Sequence, residues 1–210
     1  MRARELHVVV PGSIDQRTGG YIYDARIVRG LRELGWRVVV HSLSGLFPEA
    51  DSEAHAQMTS TLAALPAGAR VVIDGLAMGG VPESVRAEHA RLRIVSLVHH
   101  PLADETGLDE SRRTRLAAQE RDALAGCVGV IVTSAFTARR LGSFGVEPAR
   151  IRAVRPGTDP ARPAVGPGRD APPALLCVGS ITPRKGQDLL IRALWEVRDR
   201  PWTCVCAGGL

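Results

Sequence analysis

Short, almost uninterrupted Val/Ile runs alternate with stretches of helical periodicity along most of this chain, and that alternation limits the fold more than any other feature. LHVVVPG (6–12), WRVVVHSL (36–43), RVVIDGL (70–76), RIVSLVHH (93–100), VGVIVTS (128–134) and IRAVRPG (151–157) each read as a strand. Their apolar character is continuous rather than alternating, as expected of strands covered on both faces. Between them lie helical patterns near 19–34, 51–65, 82–91, 109–125 and 135–143. In the first of these, Tyr23, Ile27, Leu31 and Leu34, with Val28 alongside, trace one apolar stripe, and Gly35 supplies the stop. Strand and helix in strict turn predict an α/β fold, a Rossmann-like parallel sheet with helices on both faces.

The composition changes at PGTDPARPAVGPGRDAPP (156–173), which is dense in Pro and Gly and nearly free of apolar side chains. It reads as a linker. The expected organisation is a first domain over 1–156, a linker over 157–173, and a second region over 174–210. That last region contains one β-α-β unit: strand ALLCVGS (174–180), a helix over 186–198 with Leu190, Ala193, Leu194 and Val197 on one face, and strand WTCVCAGG (202–209). At under roughly 40 residues it is too small to fold unaided. It reads as the opening of a second Rossmann-like domain, truncated early: either the rest is encoded elsewhere, or this sequence is a fragment of a longer protein.

A net charge of +5 and a pI near 9.6 admit anionic partners. The arginines are scattered, however, and only 4% of residues are Phe, Trp or Tyr, so no stacking platform for nucleic acid is expected. Cys127, Cys177, Cys204 and Cys206 sit in apolar runs without CxxC spacing and read as small buried hydrophobes of a reducing compartment. The amino terminus offers three valines before Pro11, too short for a signal-peptide core or a membrane span. A cytoplasmic protein is expected, with peripheral membrane contact open to it.

Ligands of open parallel sheets bind beyond the carboxyl ends of the strands. Three loops there carry candidate chemistry. In PGSIDQRTGGY (11–21), Gly19 and Gly20 open a helix, so the loop is either a flexible turn capped by Thr18 or a place where backbone N–H groups meet an anion. In VHHPLADETGL (98–108), His99 and His100 point to opposite sides, and one imidazole can serve a pocket while the other packs. In SITPRKGQD (180–188), Arg184 and Lys185 stand directly before Gly186 and a helix. Lys185 is the one lysine beside 26 arginines. An ammonium kept at this one position suggests a task for a compact point charge, with Arg184 adding a planar fork of donors toward the same anion. The other reading is an exposed basic loop. Ser134 fits a helix cap better than a nucleophile.

GGYIYDARIVRGLRELGW, HHPLADETGL, IVTSAFTARRL followed by VRPGTD, and above all LLCVGSITPRKGQDLLIRAL resemble the retaining glycosyltransferases of family 4. The resemblance implies a GT-B fold, here partial, with the acceptor mainly on the first Rossmann-like domain and a nucleotide-sugar donor mainly on the second. It implies that Arg184 and Lys185 bind the donor diphosphate and stabilise the leaving nucleotide, that Gly19 and Gly20 close over the same phosphates, and that His99, rather than His100, stands near the transferred sugar as the catalytic-site histidine. No metal and no other cofactor is implied, since the cations take that role. The partners implied are a nucleotide-diphosphate-sugar donor and a carbohydrate, lipid-linked or small-molecule acceptor, with a hexose-like sugar moved with retention. Where many members carry a second Arg after the strand, this chain has Ser180, and the paired glutamates of the family fall beyond Leu210. Other readings are a non-catalytic nucleotide-sugar or acceptor binding module and a nucleotide-sugar epimerase of the same architecture.

Overall fold

In the computed structural model, residues 4–168 and 170–209 are described. They form two compact units, Met1–Pro156 and Gly157–Leu210. The first unit runs β1 (Glu5–Pro11), α1 (Gly19–Glu33), β2 (Arg37–Leu43), α2 (Ser52–Ala63), β3 (Arg70–Asp74), α3 (Gly75–Met78), α4 (Pro82–Glu88), β4 (Arg93–Val98), α5 (Glu110–Ala125), β5 (Gly129–Val132), α6 (Ala135–Leu141) and β6 (Ile151–Ala153). All six strands are parallel and lie in the order β2-β1-β3-β4-β5-β6. The order reverses between β1 and β3, and an open sheet of this kind has its ligand crevice at the carboxyl ends of the strands flanking such a reversal.

Period-two alternation decides which side chains face which layer. On β1, Val8 and Val10 join Val28 of α1 and Val38 of β2 in one cluster, while Val9 points the other way. That opposite side holds the larger core, where Val71, Ile73, Ile94, Val98, Val130 and Val132 of the sheet meet Met58 and Leu62 of α2, Val85 of α4, Leu116 and Leu124 of α5, and Leu141 of α6. The helices are thus unequally shared: α1 supplies the helical residues of the smaller cluster.

The first helix departs from its expected stripe. Tyr23, Asp24 and Val28 are its buried residues, whereas Leu34 is 74% exposed and Ile27 is exposed as well. An aspartate therefore occupies a core-facing position that an apolar stripe would have assigned to a hydrophobe. Four helices are capped by a side chain at their first turn. Asp51 accepts from Ala54 N–H, Asp74 from Leu76 N–H, Asp109 from Arg112 N–H, and Ser134 Oγ from Thr137 N–H at 3.0 Å. Ser134 is a cap, as its position before α6 predicts. Changing Ser134→Ala should cost about 1 kcal/mol of unit stability, read from the urea midpoint, because the Thr137 N–H loses its acceptor.

The second unit contains β7 (Ala174–Val178), α7 (Gln187–Trp195) and β8 (Thr203–Ala207), with β7 and β8 parallel. Two strands and one helix give each strand a single covered face. Leu175 and Cys177 are partly covered, while Leu176 is 69% and Val178 72% exposed. The expectation that all four cysteines are buried holds for Cys127 and fails for the others: Cys177 and Cys204 are intermediate and Cys206 is exposed. On α7 the predicted face is likewise only partly covered. Leu190, Leu194 and Val197 are intermediate, and Ala193 is exposed. An apolar residue is buried only when a second layer lies over it, which periodicity alone does not report.

Candidate functional site

The carboxyl ends of β1, β3 and β4 bring together residues that are far apart in sequence. Gly20 lies in the first turn of α1, after β1, and a Cβ placed on it would stand 3.3 Å from Cδ2 of His99. The absent side chain at Gly20 is what lets the helix start lie against the imidazole. Gly19, beside it, is exposed with open space where its Cβ would be. The helix that these glycines open has Thr18 at its cap position, but Thr18 makes no side-chain cap hydrogen bond and the first turn holds no acid. The capped-turn reading of this loop is therefore not what forms. Its first-turn N–H groups are left without a capping side chain, unlike those of α2, α5 and α6.

His99 follows the last residue of β4 and sits half-buried. Its Nε2–H donates to Asp24 Oδ1 at 3.0 Å, and Asp74 Oδ2 lies 3.6 Å from the same nitrogen. The Tyr23 ring meets the imidazole edge-on, with centroids 5.4 Å apart. Asp24 and Asp74 are both buried. Burial, reinforced by the Asp24 charge, pushes the Asp74 carboxyl up to about 7. His99 is held above the ordinary imidazole value: burial opposes its charge, but the Asp24 hydrogen bond and the charges of Asp24 and Asp74 outweigh it. His100 turns elsewhere, with its Nε2 buried and without a hydrogen-bond partner among the described residues. The two histidines thus divide as strand geometry predicts.

The three side chains offer donor atoms within 4.8 Å of one another, a spacing at which a cation could also be reached. Sequence reasoning missed both acids. Asp24 lies in the helix that starts at Gly19 and Asp74 ends β3, and neither position carries a motif. The available signal was the Asp-Gly pair closing β3, since Asp74 caps the one-turn helix α3, Gly75–Met78, which periodicity did not reveal.

The loop that follows His99 is pinned from below. Glu120 of α5 is 1% exposed, and its Oε2 accepts the Leu102 N–H at 3.0 Å. Arg140 of α6 grips Asp104 through two nitrogens, Nε to Oδ2 at 2.7 Å and Nη2 to Oδ1 at 2.6 Å. HHPLADE is thus a braced segment, whose shape depends on contacts with residues 18 and 36 positions downstream.

In the second unit, Pro183–Lys185 forms a single 3-10 turn that Gly186 ends at φ +67°, a left-handed conformation in which a side chain would be strained. Arg184 and Lys185 are both exposed on this turn. The Lys185 stem runs across the end of β7, its Cδ lying 3.6 Å from where a Cβ on Gly179 would stand. Gln187, the first residue of α7, ties the loop together by donating from Nε2 to Ser180 O at 3.0 Å. α7 also lacks a side-chain cap. A glycine before a helix start signalled the loop in sequence, whereas the bracing role of Gln187 carried no signal.

Comparison with known proteins bears on the first of these clusters. Residues 75–162 match the model of Glycosyltransferase Family 4. That stretch includes His99 and the braced loop after it, and leaves out Gly19, Gly20, Asp24, Asp74, Arg184 and Lys185. A D-inositol 3-phosphate glycosyltransferase of Kineococcus radiotolerans is 43% identical over 70 residues, a match covering 28% of this chain and 16% of that relative. Among the described residues no helix is long and apolar enough to cross a membrane. The matched stretch contains β4 with His99 directly after it, the HHPLADETGL loop and the Ser134-capped helix, and over that stretch the chain is similar to Glycosyltransferase Family 4.

Proposed function

We propose that the whole protein transfers a hexose-like sugar, with retention, from a nucleotide-diphosphate-sugar donor to an acceptor recognised by residues 1–156. The observation that carries this reading is the family match over 75–162, whose His99 follows β4, the strand next to the topological reversal, with Gly20 of α1 against its ring. Arg184 and Lys185 serve the donor diphosphate, on an exposed turn directly before an uncapped helix start. Gly19 and Gly20 offer N–H groups to the same chemistry from the start of α1. As the bond from the anomeric carbon to the diphosphate oxygen breaks, negative charge grows on that oxygen. Cations already in place lower the barrier by meeting the charge where it develops. The acceptor oxygen then bonds to the anomeric carbon on the face the diphosphate left, and its proton passes to the departing phosphate. Neither a metal ion nor another cofactor is required by this arrangement. A cytoplasmic location, where nucleotide sugars are made and held, follows from the donor class.

The test is an incubation of the whole protein with sugar-labelled nucleotide-diphosphate donors and a set of carbohydrate, lipid-linked and small polyol-phosphate acceptors. Labelled product with the donor's anomeric configuration, and one nucleoside diphosphate released per transfer, is the expected result. Donor binding without turnover would replace this reading with a binding module. Isomerised sugar formed with no acceptor present would replace it with an epimerase.

A further inference from the structure

Both carboxylates beneath His99 address the same ring nitrogen, Asp24 at 3.0 Å and Asp74 at 3.6 Å. Asp74 is itself fixed, because its Oδ1 accepts the Leu76 N–H at 2.7 Å. A carboxylate oxygen of Asp24 lies within 4.8 Å of one of Asp74, and two buried carboxyl groups that close repel unless a proton stands between them. Asp24 Oδ2 receives no hydrogen bond from any described residue and is open as the acceptor for such a proton. The Asp24 side chain is 1% exposed and that of Asp74 8%. Two ionised carboxylates under a neutral imidazole would bury two negative charges. One shared proton on the pair and a charged ring instead make the cluster neutral, which is the inexpensive state in a dry site.

The groups facing His99 are few. α1 contributes Asp24 and the edge of Tyr23, and the end of β3 contributes Asp74. Thr133, after β5, donates its hydroxyl to the His99 backbone oxygen and does not reach the ring. The Tyr21 hydroxyl is directed to Pro11 O, and burial, with the Asp74 charge behind it, raises its pKa. No Arg or Lys shares the cluster among the described residues. With Nε2 turned inward, Nδ1 makes no hydrogen bond to a described residue, and the side chain keeps 23% of its surface open.

We propose that Asp24 and Asp74 are positioning residues that share one proton, fix the His99 ring through Nε2 and keep it an imidazolium, so that Nδ1–H is a hydrogen-bond donor to a substrate oxygen. A cationic ring has no lone pair on either nitrogen, so His99 donates and does not act as a base. The substrate in this statement rests on the sugar-transfer reading. The charge and orientation of the ring do not.

The experiment is two-bond 1H–15N correlation spectroscopy of the histidine-labelled chain between pH 5 and 9, with His99 assigned through His99→Gln. Both His99 nitrogens should show protonated shifts at pH 7. In Asp24→Asn the proton affinity of the ring should fall about tenfold or more, and in Asp74→Asn in the same direction by less. Asp74→Asn gives the same reading should Asp24→Asn fail to fold, since it keeps the 3.0 Å bond to Asp24. In the transfer assay, Asp74→Asn should lower kcat with little change in donor KM, and the alkaline limb of its pH profile should shift to lower pH; loss of folded protein alone would leave that limb in place. A His99 ring that is neutral at pH 7, or that titrates identically in both variants, would overturn the proposal. So would uptake of one Zn2+ per chain that abolishes the titration, which would make the cluster a cation site. Because the spectra need no sugar, a charged His99 in a protein without transfer activity would sink the enzyme reading and spare this one.

Discussion

Replacing Lys185 with alanine should lower kcat/KM for sugar transfer by about 10²–10³-fold, the range seen when one preorganised charge-stabilising donor is lost. The loss should be mostly in kcat, since the charge the ammonium meets is greatest as the diphosphate departs. The fold should survive. Lys185 is exposed, and the turn it occupies is held by backbone bonds, Lys185 N–H to Thr182 O at 3.0 Å and Gly186 N–H to Pro183 O at 3.2 Å, which alanine keeps. Only the contact of its stem with Gly179 disappears. Lys185→Arg separates charge from shape: a broad, planar guanidinium in place of a compact ammonium should recover part of the rate and not all of it. Steady-state kinetics on the whole protein, with circular dichroism to confirm folding, is the measurement. Unchanged turnover in the alanine variant would remove Lys185 from the diphosphate role.

The second large effect is on stability and its pH dependence. Glu120 is buried in α5, and desolvation pushes its carboxyl from 4.5 up to about 7 against the backbone N–H groups of Leu102 and Ala103 that favour its charge. A raised carboxyl binds its proton more tightly in the folded state than in the unfolded one. Its contribution is therefore fully present below about pH 4.5 and is lost as the pH rises through about 7. At roughly 1.4 kcal/mol per pH unit of displacement, the difference amounts to about 3 kcal/mol. Glu120→Gln keeps an acceptor for Leu102 N–H and cannot ionise. Relative to wild type, this variant should gain about 3 kcal/mol between pH 4.5 and 8.5, read from paired urea titrations. A constant difference between the two proteins across that range would mean that Glu120 is not buried as an acid. The loop that Glu120 holds is the one that follows His99. Its stability is thereby set from a helix that carries no motif.

Particular residues show where sequence reading succeeded. VVV in β1 could be read as a doubly covered strand because a parallel strand needs apolar atoms on both faces, and Val8, Val9 and Val10 are all buried. Ser134 could be read as a cap because its hydroxyl precedes the first helical residue of α6. Gly186, read as the first residue of the helix over 186–198, instead stands in a left-handed conformation just before α7. Alternation says that His99 and His100 part but not which of them meets the buried acids, and it is His99 that does. Where reading failed, a partner from elsewhere in the chain was missing from view. Cys206 sits in an apolar run and is exposed, because no layer covers its face of β8 among the described residues.

Local physics written in consecutive residues determined the alternation of strands and helices, the Ser134 cap and the position of the lone ammonium, because each depends on side chains within a few positions of one another. Only the tertiary structure joined Asp24, Asp74 and His99, which are separated by 50 and 25 residues along the chain and brought within 3.0 and 3.6 Å of one ring nitrogen at the ends of parallel strands. Burial is a property of what comes to lie overhead, and so the upward shifts of His99 and Glu120 were decided by packing.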